Sequence, residues 1–532
     1  MIDGAMQEFP LTLDRFLGHA AKWHPRAEVV TAHDDGAVDR VSYAELRDRS
    51  LRASAALADL GVAFGNRVAT LAWNTQAHVE AWYAIMGMGA VCHTLNPRLI
   101  ESQLGAMLAA SGSHVLIVSA DLVPLARRIL DEHPTQVGHL LIIDGDGEAD
   151  ALAGWHGPLQ ARTLQAAMLD TQREVTWGGF DERAPSGLCF TSGTTGAPKG
   201  VTYTHRSSFL HTLRMLQADL FCVTAADSVL AVVPMFHANA WGLPFTVPAV
   251  GAKLVLPGRH ADGAHLARLI ASEGVTIAVG VPTVWLGLVE HLDAAGGELP
   301  SLKRIVVGGT PLPPALMERI ERRLGAIVQT SWGMTELSPS GTMSLPHDPN
   351  RSAVVSGRPA IGVDLLLTDA DGRPLPQQRN VEGHLRVRGV AVIERYFGDD
   401  QRATDADGWF ETGDLARIDD HGNLTITGRS KDLVKSGGEW INPAEIETII
   451  CGLPEVSLAA VIGRPDSKWG ERPVLLVEMR EQASLTDEEL RTALSGKVAP
   501  WWIPDAVIRL RKMPLASTGK IDKMRLRMEY GR

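Results

Sequence analysis

Residues 190–200 read Phe190-Thr191-Ser192-Gly193-Thr194-Thr195-Gly196-Ala197-Pro198-Lys199-Gly200. They follow an apolar run, Gly187 to Phe190, with the character of the end of a buried strand. Four hydroxyl residues, three glycines and one lysine arrive together. Glycine lets the backbone take positive φ and approach a ligand closely. Successive N–H groups in such a turn form a concave anion site, the hydroxyls add donors and Lys199 adds charge. Phosphate is the guest such a loop suits. Pro198 stands where a Walker A loop has glycine ahead of its lysine, so the stretch points to a nucleotide enzyme of another kind. A Gly/Thr-rich surface turn is the plainer alternative, and the length and composition of the stretch weigh against it.

Working outward, 532 residues exceed one hydrophobic core, so at least two domains are expected. A composition of 45% hydrophobic and 21% charged residues is that of a soluble globular protein. The formal net charge of -11 argues against general affinity for nucleic acid or an anionic membrane. A phosphate ligand must therefore meet local positive groups. Cys92, Cys189, Cys222 and Cys451 lie far apart and form no CxxC pair, which suggests buried thiols in a reducing cytosol and no zinc site. Residues 1–15 lack the basic-then-apolar pattern of a signal peptide. The most apolar region, residues 229–257, is broken by His237, Asn239 and four prolines, a poor membrane span. A cytoplasmic protein without integral membrane contact is expected.

Residues 41–60 have helical periodicity, closed by Gly61. Strand-like runs at 67–73, 90–94, 114–118, 140–143, 228–233, 253–256, 276–279 and 304–307 alternate with helical segments such as 77–88. That alternation predicts parallel sheets wrapped by helices, with ligands at the carboxyl ends of strands. The Gly193 loop and Gly308-Gly309-Thr310-Pro311 both sit at such places. From about Gly357, short runs at 365–367, 384–387 and 423–426 are separated by Asp371-Gly372, Asp407-Gly408 and His421-Gly422, which reads as a small antiparallel β region. Beyond Gly428, Asn442-Pro443-Ala444-Glu445 starts a helix closed by Gly452. Strands at 456–462 and 474–479 and a helix at 487–497 follow. The expected architecture is α/β: a large N-terminal domain of parallel-sheet α/β layers plus a small β region, and a smaller, mobile α+β C-terminal domain. The boundaries are 1–428, a hinge at 429–431, and 432–532.

Four further stretches, taken with the glycine loop, carry a resemblance. They are Ser331-Trp332-Gly333-Met334-Thr335-Glu336, Glu411-Thr412-Gly413-Asp414, Gly428-Arg429-Ser430-Lys431-Asp432 and Pro514-Leu515-Ala516-Ser517-Thr518-Gly519-Lys520. Together and in this order they resemble the signature motifs of the adenylate-forming superfamily of acyl-CoA synthetases, luciferases and peptide-synthetase adenylation domains. The resemblance implies an AMP-forming acid–thiol ligase that uses ATP, Mg²⁺ and coenzyme A. A carboxylate attacks the α-phosphate of ATP, pyrophosphate leaves, and the acyl-adenylate passes its acyl group to CoA. Chemistry of this kind depends mainly on positioning and charge neutralisation.

The resemblance also implies the roles. Thr191, Ser192, Gly193, Thr194, Thr195, Gly196 and Lys199 hold the β- and γ-phosphates. Glu336 binds Mg²⁺. Trp332, followed by Gly333 and Thr335, stacks on adenine, with Gly309, Thr310 and Pro311 along its other face. Many family members carry tyrosine at the Trp332 position. Asp414 takes both ribose hydroxyls, a carboxylate being a bidentate acceptor, and Arg429 completes the ATP site. Lys520 stabilises charge at the α-phosphate, and loss of such a group costs about 3 kcal/mol or more. Rotation about Lys431 withdraws Lys520 and brings Ser436, Gly437 and Gly438 to the adenylate to admit CoA. A surface lysine in a basic tail, with Lys523, Arg525 and Arg527 nearby, is the plainer reading of Lys520.

Pro234-Met235-Phe236-His237-Ala238-Asn239-Ala240-Trp241, with Lys435-Ser436-Gly437-Gly438-Glu439-Trp440, is similar to medium- and long-chain fatty acyl-CoA synthetases. In that branch the Trp241 position gates an acyl tunnel and the His237 position lies beside the substrate carboxyl. A structural histidine and a core tryptophan are the alternatives. The same motifs occur in relatives that activate short, branched or thioether acids such as 3-methylmercaptopropionate, so the acid stays open. The absence of Lys and Arg between Val229 and Ala252 disfavours dicarboxylates. An acyl-AMP ligase that loads a carrier protein, and a non-catalytic nucleotide-binding protein, are the competing classes. Analogy with the fatty-acyl branch implies a homodimer.

Overall fold

Two mostly parallel sheets carry the chain from residue 28 to residue 359. The structure, a computed structural model, describes residues 6–145, 159–191, 198–437, 439–480, 483–516 and 520–531. The first sheet has seven strands in the order Gln160–Thr163, His139–Ile143, Val115–Ser119, Arg67–Leu71, Val91–Thr94, Pro185–Thr191, Lys199–Thr204. All neighbours are parallel except the last pair, an antiparallel hairpin whose connection is the glycine-rich loop. The loop therefore joins strand to strand, whereas a Walker A loop joins strand to helix.

The second sheet has nine strands in the order Arg358–Pro359, Ser340–Met343, Ile327–Gly333, Arg304–Val307, Ile277–Gly280, Ser228–Ala231, Lys253–Leu256, Glu28–Ala32, Val38–Ser42. Its six strands from Ile327–Gly333 through Glu28–Ala32 are parallel. The central strands are short and apolar because both faces are covered; every residue of Val115–Ser119 and of Ile277–Gly280 is buried. One core cluster joins the two sheets through Trp82, Tyr83, Tyr43 and Phe245. Fully burying a large apolar side chain contributes about 1.5–3 kcal/mol. The phenols remain satisfied: Tyr83 donates to the Pro244 carbonyl at 2.8 Å and Tyr43 to that of Ala252 at 2.6 Å. Helix Tyr43–Asp59 begins where the Ser42 hydroxyl accepts the Glu45 N–H.

The antiparallel region is a four-stranded meander, Val363–Thr368, Glu382–Gly389, Phe410–Ile418, Leu424–Arg429. The glycines of the three expected turns, Gly372, Gly408 and Gly422, each take a φ of +82°, a conformation in which a Cβ is strained. Strands Val434–Ser436, Glu439–Ile441, Val456–Asp466, Gly470–Met479 and Ala506–Leu510 form a separate five-stranded sheet with helices Pro443–Cys451 and Lys523–Tyr530 against it. The α/β class with a smaller C-terminal unit matches expectation.

Local readings differ at four places. The helix expected at 487–497 is only Asp487–Thr492, because Ser495-Gly496 turns the chain, with Gly496 at φ +73°. Strand Phe410–Ile418 was hidden by Thr412-Gly413, which breaks the apolar alternation. Strand Ala506–Leu510 and helix Lys523–Tyr530 lie in a charge-rich stretch with little periodicity to reveal them. All four cysteines are free; Cys92 and Cys189 are buried, while Cys222 and Cys451 are only partly so. Among the described residues no helix is long and apolar enough to cross a membrane.

Candidate active site

Three strands of the nine-stranded sheet end together. Ser228–Ala231 runs on to His237, Arg304–Val307 to Gly308-Gly309, and Ile327–Gly333 to Glu336. Parallel strands open their carboxyl ends to one crevice, the place where α/β sheets bind ligands. The hairpin flanking the glycine loop meets the same crevice. The Tyr203 hydroxyl, from strand Lys199–Thr204, donates to the Thr335 carbonyl at 2.9 Å. The Lys199 ammonium lies 4.8 Å from the Tyr396 ring, and the Tyr396 hydroxyl donates to Glu336 Oε1 at 3.0 Å. Thr191 donates from its hydroxyl to the Lys199 carbonyl at 3.4 Å, closing the base of the hairpin. Ser192, Gly193, Thr194, Thr195 and Gly196, and likewise Gly438, lie outside the described residues.

Trp332 and Asp414 are bonded directly. The indole N–H donates to Asp414 Oδ2 at 2.9 Å, and Arg429 Nε approaches Oδ1 at 2.6 Å. Asp414 and Arg429 stand opposite each other on the paired strands Phe410–Ile418 and Leu424–Arg429, so the sheet register itself makes the ion pair. Asp414 is 2% exposed. Burial lifts its carboxyl above the ordinary range, against the pull of Arg429, Trp332 and Lys520. One part of the Trp332 ring packs on Gly341, where a Cβ would come 2.5 Å from Cζ3. The pairing register with Ser340–Met343 shifts between Trp332 and Gly333, and Thr335 is buried beside Glu336.

Lys520 reaches this crevice from the C-terminal sheet. Its Cε lies 3.9 Å from the position a Cβ would take on Gly309, and Trp241 Cζ2 lies at the same distance from that point. Gly308 carries the rest of the indole: a Cβ there would meet Ser331 Oγ at 2.5 Å and Trp241 Cη2 at 2.9 Å. Burial, with the charges of Arg429 and Lys431, brings the Lys520 ammonium down to about 8, while Asp414 and Glu336 pull upward. His237 is pushed down to about 4 by burial and by Lys520, so it is neutral at pH 7. Lys520, Gly309 and Trp241 thus share one small volume, and His237 lies near enough to feel the Lys520 charge. Thr310 and Pro311 follow on the same loop.

The segment between His237 and the next helix is wound left-handed. Ala238, Asn239, Ala240 and Trp241 have φ of 45°, 54°, 47° and 54°, and Gly242 follows at 79°. All five are buried. Non-glycine residues in this region are costly and cluster at functional places.

Magnesium takes few protein ligands, bridges phosphate oxygens and keeps its waters. Among the described residues no group of three or more His, Cys, Asp or Glu side chains could hold a metal ion. One buried carboxylate, Glu336, joined through Tyr396 to Lys199 of the glycine-loop hairpin, fits an ion that arrives with its nucleotide. On the C-terminal sheet, Ser436 Oγ accepts from Arg472 at 3.2 Å and the Gly437 N–H donates to the Trp469 carbonyl at 2.7 Å. Trp440, Trp469 and Trp501 are about half exposed around this turn, two of them under Lys435 and Lys468. Lys431 lies in the turn Ser430–Asp432 between the meander and the last sheet.

Tyr396 and Tyr203 were missed from sequence. Their rarity is the one available signal: the chain has only five tyrosines, and two of them brace Glu336 and Thr335.

The chain matches the models named AMP-binding enzyme over residues 17–397 and AMP-binding enzyme C-terminal domain over residues 445–520. It is 41% identical over 537 aligned residues to a 3-methylmercaptopropionyl-CoA ligase of Ruegeria lacuscaerulensis, covering 99% of this chain and 98% of that one. It is also 41% identical to a medium-chain-fatty-acid–CoA ligase of Ectopseudomonas oleovorans, covering 99% and 97%. The crystal structure of the anthranilate CoA ligase AuaEII in complex with anthranoyl-AMP shares the fold, with a TM-score of 0.87 at 23% identity over 98% of both chains. With its fold and the motifs gathered in one crevice, the chain belongs to the AMP-binding enzyme family and is an AMP-forming acyl-CoA ligase.

Proposed function

We propose that this ligase activates a medium- or long-chain fatty acid, and that Lys520 is the catalytic group of the first half-reaction. The observation that carries this reading is the convergence of Lys520 and Trp241 on Gly309, with neutral His237 close enough to feel the Lys520 charge, beside a segment without Lys or Arg from Val229 to Ala252. A carboxylate oxygen attacks the α-phosphorus, the bond to the β-phosphate oxygen breaks, and pyrophosphate leaves. The Lys520 ammonium stabilises the charge that builds there. Thr191, Lys199 and the loop between them hold the leaving phosphates. Trp332 and Gly309 border the adenine, Asp414 and Arg429 hold the ribose, and His237 orients the carboxylate without adding charge. Bound beside Glu336, Mg²⁺ supplies neutralisation of phosphate charge.

In the second half-reaction the CoA sulfur attacks the acyl carbon, the bond to AMP breaks and AMP leaves. We assign residues 429–431 as a hinge between a unit of residues 1–428 and one of 432–532, which turn relative to each other between the two steps. Ser436-Gly437-Gly438 then face the adenylate, and the half-exposed indoles and lysines around them offer stacking and charge for the CoA nucleotide. A cytoplasmic homodimer completes the proposal. A second reading of the acid, a short, branched or thioether acid, is favoured by the likeness to the Ruegeria enzyme.

Two measurements test this. The first is a CoA-thioester screen from acetate to palmitate, including branched, aromatic and thioether acids. A maximum at eight or more carbons is expected, and a maximum at a short thioether acid overturns the fatty-acid assignment. The second is Lys520→Ala, which is expected to lose acyl-adenylate formation and still convert a supplied acyl-adenylate plus CoA to thioester. Equal loss of both steps sinks the rotation.

A further inference from the structure

Lys520 lies in a short loop whose ends are tied: Leu515 bridges Ile521, the Ala516 N–H donates to the Lys520 carbonyl at 2.6 Å, and the Asp522 N–H donates to the Pro514 carbonyl at 2.9 Å. Three residues on, Lys523 opens the last helix, Lys523–Tyr530. A cation there opposes the helix dipole, whose N-terminus is already positive. The helix dipole therefore does not explain its presence.

Its partners do. Lys523 Nζ lies 2.7 Å from Glu447 Oε1 and 3.9 Å from Asp432 Oδ2. Glu447 Oε1 also accepts the Val461 N–H at 2.6 Å, which fixes the carboxylate to the edge strand Val456–Asp466. Arg527, one helical turn beyond Lys523, donates to Asp432 Oδ1 at 2.7 Å. The side chains of Lys523, Glu447 and Asp432 are only 15–19% exposed, so the cluster is sheltered from water. Asp432 directly follows the hinge residue Lys431. Underneath, Leu526 is fully buried with Ile462, Leu476 and Met513.

We propose that Lys523 is the positioning residue of the adenylation step: held by Glu447 and Asp432, it sets the Lys520 loop and couples it to the hinge, so that the catalytic lysine and the hinge turn as one body. The inference rests on the assignment of Lys520 given above. Placement of a reacting charge is sensitive, a displacement of about 1 Å costing about a hundredfold. The second half-reaction does not use Lys520 and does not need the loop in place.

The test measures ATP–pyrophosphate exchange and, separately, thioester formation from supplied acyl-adenylate and CoA, in the full-length enzyme. For Lys523→Gln, exchange is expected to fall about tenfold to a hundredfold while thioester formation stays within about twofold. Lys523→Arg, which keeps the charge, is expected to restore exchange to within a few-fold. Parallel loss of both steps, without rescue by arginine, marks a merely structural residue and overturns the proposal; so does unchanged exchange in Lys523→Gln. Lys520→Ala is run alongside. If it keeps exchange, the assignment of Lys520 falls and the proposal with it. If Lys520→Ala loses exchange and Lys523→Gln does not, only the positioning role falls.

Discussion

Replacing Trp332 with phenylalanine separates two jobs that one side chain performs here. The phenyl ring keeps an aromatic face over Gly341 and beside the proposed nucleotide crevice. It removes the indole N–H that donates to Asp414 Oδ2 at 2.9 Å. The acceptor is an anion in a place only 2% exposed, so water does not replace the donor. A hydrogen bond to a charged group contributes about 1.5–3 kcal/mol. At about 1.4 kcal/mol per tenfold, that is a factor of about 10 to 150. Arg429 still approaches Oδ1 at 2.6 Å, so the carboxylate remains paired but loses one of its two fixed directions. The lower part of the range is therefore expected.

The assay is ATP–pyrophosphate exchange at saturating acid, with ATP varied. For Trp332→Phe, kcat/KM for ATP falls tenfold or more, and KM for the acid stays within about twofold, because Trp241 and His237 descend from a different strand. Asp414→Asn gives a larger fall, since it also strands Arg429 without its counter-charge. If a folded Trp332→Phe enzyme keeps its ATP kcat/KM within about twofold, then the indole serves only as a stacking surface and the argument from its N–H is wrong.

The pH dependence follows from Lys520. Its ammonium is held down to about 8 from an ordinary value near 10.5, so the charge is present below pH 8 and lost as the pH rises through it. Adenylation measured as kcat/KM then declines above about pH 8, while thioester formation from supplied acyl-adenylate does not follow that limb; a flat profile to pH 9.5 contradicts it. Gly308→Ala places a Cβ 2.9 Å from Trp241 Cη2 and 2.5 Å from Ser331 Oγ. It is expected to push the indole and change acid KM and chain-length preference severalfold, with ATP KM little altered, read from steady-state kinetics over a series of acids. Gly341→Ala, whose Cβ meets the Trp332 ring at 2.5 Å, is expected to do the opposite, raising ATP KM and sparing the acid.

Much of this arrangement was legible because glycine, proline and charge mark strand ends. The strands at Lys253–Leu256 and Arg304–Val307 fall where the apolar runs place them, and Gly308-Gly309 follows the second as a strand-end loop must. Asp414 was found through its motif but not through its strand, because Thr412 and Gly413 interrupt the alternation that would reveal Phe410–Ile418. Its pairing with Arg429 depends on sheet register, and its bond to Trp332 on the approach of two distant sheets; neither is a local property. Lys523 and Arg527 looked like members of a basic tail, since nothing nearby in sequence announces Glu447 and Asp432.

The acid was the least legible part, and the backbone explains why. On the proposed assignment, the nucleotide side is built from motifs whose residues meet groups that every substrate shares. The proposed acid side hangs on Ala238–Trp241, four successive non-glycine residues in the left-handed region. At about 1–2 kcal/mol each, that conformation costs several kcal/mol in sum, so the segment cannot hold it alone. The surrounding core imposes it: Ala238, Ala240 and Trp241 belong to the cluster that joins the two sheets. A left-handed turn locked in this way holds the indole against Gly308 with little freedom. If Trp241 borders the acid as proposed, acid selection depends on how packing around this strained turn places its indole, and so on residues scattered along the chain as well as on the segment itself. Two relatives, each 41% identical to this chain, carry the names of different acids.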